Sequence, residues 1–163
     1  MKNNKVLFLT QAGLIAAIYV VITVILRPFG FGEIQVRIAE MLVILPVFTP
    51  AAIPGLFVGC LLGNIFGGAM IPDVVFGSLT TLIAAVLTYK LRDRNRIVAV
   101  IPPIVLNSLV VPFILKFAYG VPLPIPVMMV TVGVGEIISA GVLAIALGKV
   151  LNKNRTAIFG SFK

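Results

Sequence analysis

Five acidic side chains are all this chain carries, and four of them fall in or beside hydrophobic runs. Glu33, Arg37 and Glu40 follow one another at helical spacing, which puts all three on one face. Asp73 opens a second apolar run and Glu136 lies inside a third, while Asp93 sits in a charged loop. An ionisable group at membrane depth costs roughly 3 kcal/mol or more unless it faces protein or a hydrated cavity. The chemistry such acids can do is to accept hydrogen bonds from N–H donors and to balance a cation. One arginine cannot neutralise two glutamates, so if both are ionised a negative charge remains for a ligand to meet. Asn64 and Asn107 add amides within apolar runs, and Lys116 adds a donor. These eight residues are the candidate substrate-binding set. Each also has a structural reading: an internal ion pair for Glu33–Arg37–Glu40, a helix N-terminal acid for Asp73, and helix–helix hydrogen bonds for the two asparagines.

Other chemistries are missing their parts. Histidine is absent, which removes the commonest metal ligand and general base. There is one cysteine, Cys60, inside an apolar run, so no intrachain disulfide forms; its simplest role is packing. No Gly-x-x-x-x-Gly-Lys-Ser/Thr loop occurs, so nucleotide hydrolysis by that route is excluded. The expectation is no enzyme, no metal and no cofactor. Any uphill transport must draw on a partner or an ion gradient.

The elements that position these groups are membrane helices. The 163 residues are 60% hydrophobic and 11% charged, with a mean hydropathy of +1.18; soluble domains are about 25% charged. At about 20 residues per span, the length accommodates about six transmembrane helices in one membrane domain, residues 1–163. The segments run from about Lys5 to Leu26, Ile34 to Val47, Ala51 to Gly68, Pro72 to Leu91, Ile97 to Ala118, and from Pro126 to Leu151. Pro46 and Pro50 mark the turn after the second; Pro102, Pro103 and Pro112 break the fifth. The first run begins after Lys2 and Lys5 like a signal peptide, but its length to Leu26 suits a retained span.

With six spans, Lys2, Lys5, the Lys90–Arg96 loop, Lys149, Lys153 and Arg155 share one side. The positive-inside rule makes that side cytoplasmic, with both termini there and residues 152–163 as a cytoplasmic tail. The net charge of +8 thus reads as topology in a cell membrane and not as a nucleic-acid surface. Arg27, Glu33, Arg37, Glu40, Asp73 and Lys116 fall at the opposite, outer face, with Phe29, Phe31, Phe117 and Tyr119 beside them as anchors or a stacking surface.

Two stripes of small residues set the packing. Gly55, Gly59, Gly63 and Gly67 recur every fourth residue, a pattern that lets helix backbones approach. Ala140, Ala144 and Gly148 continue the face of Glu136, which should therefore point into the bundle. Ala12 and Ala16 make a small pair on the first helix, for packing inside the chain or docking a partner.

Several stretches carry a resemblance. Gly32–Glu40, Pro50–Cys60 with Asn64, Asp73–Leu79 and Val134–Ser139 resemble the QueT family over nearly the whole chain. The resemblance implies a substrate-binding (S) component of an energy-coupling factor (ECF) transporter, linked to queuosine-precursor uptake. It implies a six-helix bundle with an outward-facing pocket, working with a transmembrane coupling subunit and two ATPase subunits. It also implies that Ala12 and Ala16 contact the coupling subunit. A deazaguanine fits the acids: its ring N–H and exocyclic amine can both donate to one carboxylate. Among the acids Glu136 and Glu40 rank first, then Glu33, then Asp73. The alternative is a stand-alone proton-coupled carrier or small channel for a cationic molecule, although the related halves common in carriers are not evident.

Overall fold

Proline, glycine and charge cut the chain into helices close to where the sequence places them. The computed structural model describes residues 2–26 and 37–159; among these there is helix and no strand. The helices are α1 (Lys2–Ile25), α2 (Ile38–Val47), α3 (Ala52–Phe66), α4 (Asp73–Lys90), α5 (Arg96–Phe117), α6 (Ile125–Lys153) and α7 (Arg155–Phe159). Glu33 lies outside the described residues, as do Arg27, Phe29 and Phe31.

Four helices are long and apolar enough to cross a membrane: α1 over 22 residues, α4 over 18, α5 over 22 and α6 over 29. Two further apolar helices are shorter, with 10 residues in α2 and 15 in α3. The six apolar helices expected are thus present among the described residues, four of full spanning length and two shorter, with α3 running parallel to α1 so that α2 carries the chain back between them. The reason for the two shorter lengths is local. Pro46 and Pro50 stop α2, and Gly68, at a φ of +72°, turns the chain out of α3. There Ala69 N–H bonds back to the Asn64 carbonyl at 2.8 Å and Gly68 N–H to that of Ile65 at 3.1 Å, a glycine C-cap.

The short α2 is the centre of the bundle. It packs against α1, α3, α4 and α6, and Ala39, Glu40 and the run Leu42–Pro46 are buried. Its backbone is wound as a 3₁₀ helix, a form that is uncommon beyond about four residues. At about 2 Å per residue it spans about 20 Å and carries Glu40 into the interior.

The small-residue stripes hold this core together. A Cβ on Gly55 would sit 2.8 Å from the Ala12 carbonyl oxygen, and one on Gly59 would sit 2.7 Å from Tyr19 Cβ. A Cβ on Gly63 would meet Thr23 at 3.2 Å. The glycine face of α3 is therefore the seat of α1. The second stripe faces α2: Ala140 and Ala144 are fully buried, and a Cβ on Gly148 would lie 3.1 Å from Ile44. Large apolar side chains such as Leu9, Ile25, Ile83 and Val130 point outward, as a lipid-facing surface requires.

At the end where α7 lies, residues 153–159 fold back onto the bundle. Phe159 is buried and stacks on Phe48, ring centroids 5.3 Å apart, and its carbonyl accepts from Gln11 Nε2 at 3.4 Å.

A candidate ligand site among buried acids

The site is built by six helices that each deliver one or two polar groups to the interior. From the start of α2, Arg37 Nη2 donates to Asn64 Oδ1 on α3 at 2.8 Å. Its Nη1 lies 3.8 Å from Asp73 Oδ1 at the head of α4, an ion pair too long to be a hydrogen bond. Asn64 Nδ2 donates to the Asp73 carbonyl at 3.2 Å, so Asn64 bridges the arginine and the backbone of the acid. Gly77 is required here, because a Cβ would fall 2.7 Å from Asp73 Oδ1.

One turn deeper, Tyr19 Oη on α1 donates to Glu40 Oε1 on α2 at 2.5 Å. Between these two sets sits Cys60, which receives Thr81 Oγ1 at 3.4 Å and lies 3.8 Å from Arg37 Nη2. From α6, Glu136 points into the same interior as Glu40 and Arg37, with Asn107 of α5 beside its carboxyl. Glu40 and Glu136 are each 1% exposed, Asp73 2%, Asn64 0% and Asn107 3%.

Both acids on the long helices adjoin wider, π-type turns. Asp73–Gly77 starts at one acid and Ile137–Leu143 starts just after the other. Such turns recur at functional sites. The hydroxyls of Ser78 and Ser139 bond to the carbonyls of Val74 and Gly135, at 2.6 and 2.8 Å, which takes up backbone acceptors next to each acid.

Buried acceptors remain unmet. Glu40 Oε2, Asp73 Oδ1 and Glu136 Oε2 are each buried and without a hydrogen-bond donor among the described residues. Leaving such a group unpaired costs about 1–3 kcal/mol, more when charged. Three lone carboxyl oxygens around one arginine can receive a ligand with several N–H donors or a positive charge.

The structure thus brings together Glu40, Glu136, Arg37, Asn64, Asp73 and Asn107. Lys116 stays apart: its Nζ donates to the carbonyls of Val121 and Leu123 at 3.4 and 3.3 Å, tying down the α5–α6 connection. Tyr119, read from sequence as an anchor or stacking surface, donates to Asp73 Oδ2 at 3.2 Å and accepts from Met70 N–H at 3.1 Å. Burial raises its phenol above the ordinary range, and Asp73 adds to that, so it remains a donor. Tyr19 and Thr81 were not among the sequence candidates, and Cys60 proves to be more than filler. A signal for Tyr19 existed: it continues the Ala12–Ala16 stripe, putting a phenol on a face that must be buried.

Ala12 and Ala16 meet α3. Ala16 is buried beneath Gly59 and Ala12 is half-buried at Gly55, so the pair is engaged within the chain. The small residues of α1 left exposed are Gly13 and Ala17.

Among the described residues no group of three His, Cys, Asp or Glu side chains could hold a metal ion. A family model described as QueT transporter matches residues 9–153. The chain belongs to the QueT transporter family. As a QueT-family transporter it is a membrane protein that handles a small-molecule substrate, in keeping with its apolar helices and its polar interior. No curated protein and no solved structure matches the chain.

Proposed function

We propose that this QueT-family chain is the substrate-capturing subunit of an ECF-type importer for a queuosine precursor, queuine or a related deazaguanine. The observation that carries the reading is the trio of buried carboxyl oxygens with no hydrogen-bond donor among the described residues, Glu40 Oε2, Asp73 Oδ1 and Glu136 Oε2. A deazaguanine supplies a ring N–H and an exocyclic amine side by side, and charge-assisted bonds of this kind are strong where water is excluded. Its aminomethyl form adds a positive charge, which suits three acids set against one arginine. The carbonyl edge of the base wants a donor, and Arg37 and Asn64 are at hand.

The membrane arrangement supports capture from outside. Lys5, Lys90, Arg92, Arg94, Arg96, Lys149, Lys153 and Arg155 lie at the end away from the acids, and the positive-inside rule assigns that end to the cytoplasm. An even number of crossings returns the chain to the side it left, so the six apolar helices keep both termini there. Energy comes from a coupling subunit with two ATPase subunits. The exposed Gly13 and Ala17, next to Ala12 and Ala16, offer that subunit a close approach on α1.

The test is calorimetric titration of the detergent-solubilised chain with queuine and with the cyano- and aminomethyl-deazaguanines, guanine serving as control. Tight binding of one of them over guanine is expected; a folded protein that binds none refutes the substrate. A proton-coupled carrier is the second reading, favoured by the proximity of Glu40 and Glu136. Uptake that follows a proton gradient and needs no ATPase would establish it.

A further inference from the structure

We infer that Tyr19 is the positioning residue of this site: its phenol holds Glu40 Oε1 so that Oε2 is presented, with the Glu136 carboxyl, to paired N–H donors on a cationic ligand. This rests on the reading of the site as a ligand pocket, and it assigns a role on α1, the helix from which no site residue was expected.

The geometry carries the assignment. Tyr19 is fully buried, and packing alone would be served by phenylalanine. Its hydroxyl instead donates at 2.5 Å to one oxygen of Glu40, a length typical of a strong O–H···O bond to a carboxylate. The other oxygen of the same carboxyl is buried with no donor among the described residues. A glutamate free to rotate about its last torsion presents either oxygen at any angle. Fixing one of them removes that freedom before the ligand arrives, which is preorganisation. The phenol is itself fixed from behind, since Gly59 leaves no space between α3 and Tyr19 Cβ. Thus Gly59 seats Tyr19, Tyr19 orients Glu40, and Glu40 meets the ligand.

The experiment is a double-mutant cycle on the full chain in detergent, titrated with the aminomethyl-deazaguanine, using wild type, Tyr19→Phe, Glu40→Gln and the pair. Thermal unfolding of each protein checks folding. The expected result is about a tenfold loss of affinity for Tyr19→Phe in the wild-type background and less than a twofold loss in the Glu40→Gln background. A packing role predicts the same loss in both, and either that result or an unchanged Kd for Tyr19→Phe overturns the inference. Infrared spectroscopy decides it without ligand. The Glu40 carboxyl band, identified by its loss in Glu40→Gln, is expected to shift in Tyr19→Phe; an unmoved band refutes positioning. Wild type binding no deazaguanine while the band shifts would refute the substrate and leave the positioning role standing.

Discussion

The two halves of the bundle treat their buried polar groups differently. In the half that holds the basic residues, polar atoms close on one another. Thr49 donates to Gln11 Oε1 at 2.8 Å, Gln11 reaches the Phe159 carbonyl, and Thr88 donates to the Ala99 carbonyl at 2.9 Å. Arg96 and Arg155 lie over the Phe48 ring, 5.8 and 5.9 Å from its centre. In the acidic half, by contrast, Thr23 Oγ1, Glu40 Oε2, Asp73 Oδ1 and Glu136 Oε2 are buried with no hydrogen-bond partner among the described residues, Asp73 Oδ1 having only its long ion pair to Arg37. One half is closed on itself among the described residues. The other leaves buried acceptors open, and that asymmetry is the ground for the proposed ligand site in a chain built throughout from similar apolar helices.

The largest effect should come from Arg37→Leu. It removes the one arginine beside Asp73 and deprives Asn64 Oδ1 of its donor. Leaving a buried acid unpaired costs about 3–5 kcal/mol, so a lowered unfolding temperature together with lost ligand binding is expected. Stability equal to wild type would show that the acidic half is as self-sufficient as the other. Glu136→Gln is next. It keeps the shape of the side chain and removes its charge, and ligand affinity should fall at least tenfold, about 1.4 kcal/mol, with unfolding little changed. Unaltered affinity would return Glu136 to a structural role. The smallest is Thr49→Val, which takes the donor from Gln11 Oε1 in the basic half. A loss of about 1 kcal/mol in stability with an unchanged Kd is expected; weaker binding would break the division between the halves.

Much of this was legible because proline, glycine and charge punctuate the sequence. Pro50, Gly67–Gly68, Lys90–Arg96 and Pro122–Pro126 mark the ends of helices to within a few residues, and the glycine stripe of α3 announces a close neighbour. The inward direction of Glu136 was also readable, since it shares a face with Ala140, Ala144 and Gly148. The second segment was expected to be short, and α2 is; what hydropathy does not tell is that this helix is surrounded by protein and not by lipid. The partners were less visible still. A tyrosine, a threonine or a cysteine in an apolar run reads the same whether it faces lipid, bonds to its own helix or meets an acid three helices away. Tyr19 and Thr81 acquire meaning only when α1 and α4 are brought against α2 and α3. Lys116 shows the converse error: a charge at the right end of the molecule is occupied by nearby backbone carbonyls.

Cys60 has a practical consequence. It is the chain's single thiol, fully buried beneath Arg37 and Asn64 and touching Thr81. A maleimide can reach it only when those side chains part, so the rate of alkylation is a clock for the opening of the acidic half. A ligand seated on Arg37 and Asn64 should slow that clock. The protein therefore carries its own chemical stopwatch, readable by mass spectrometry without any engineered label.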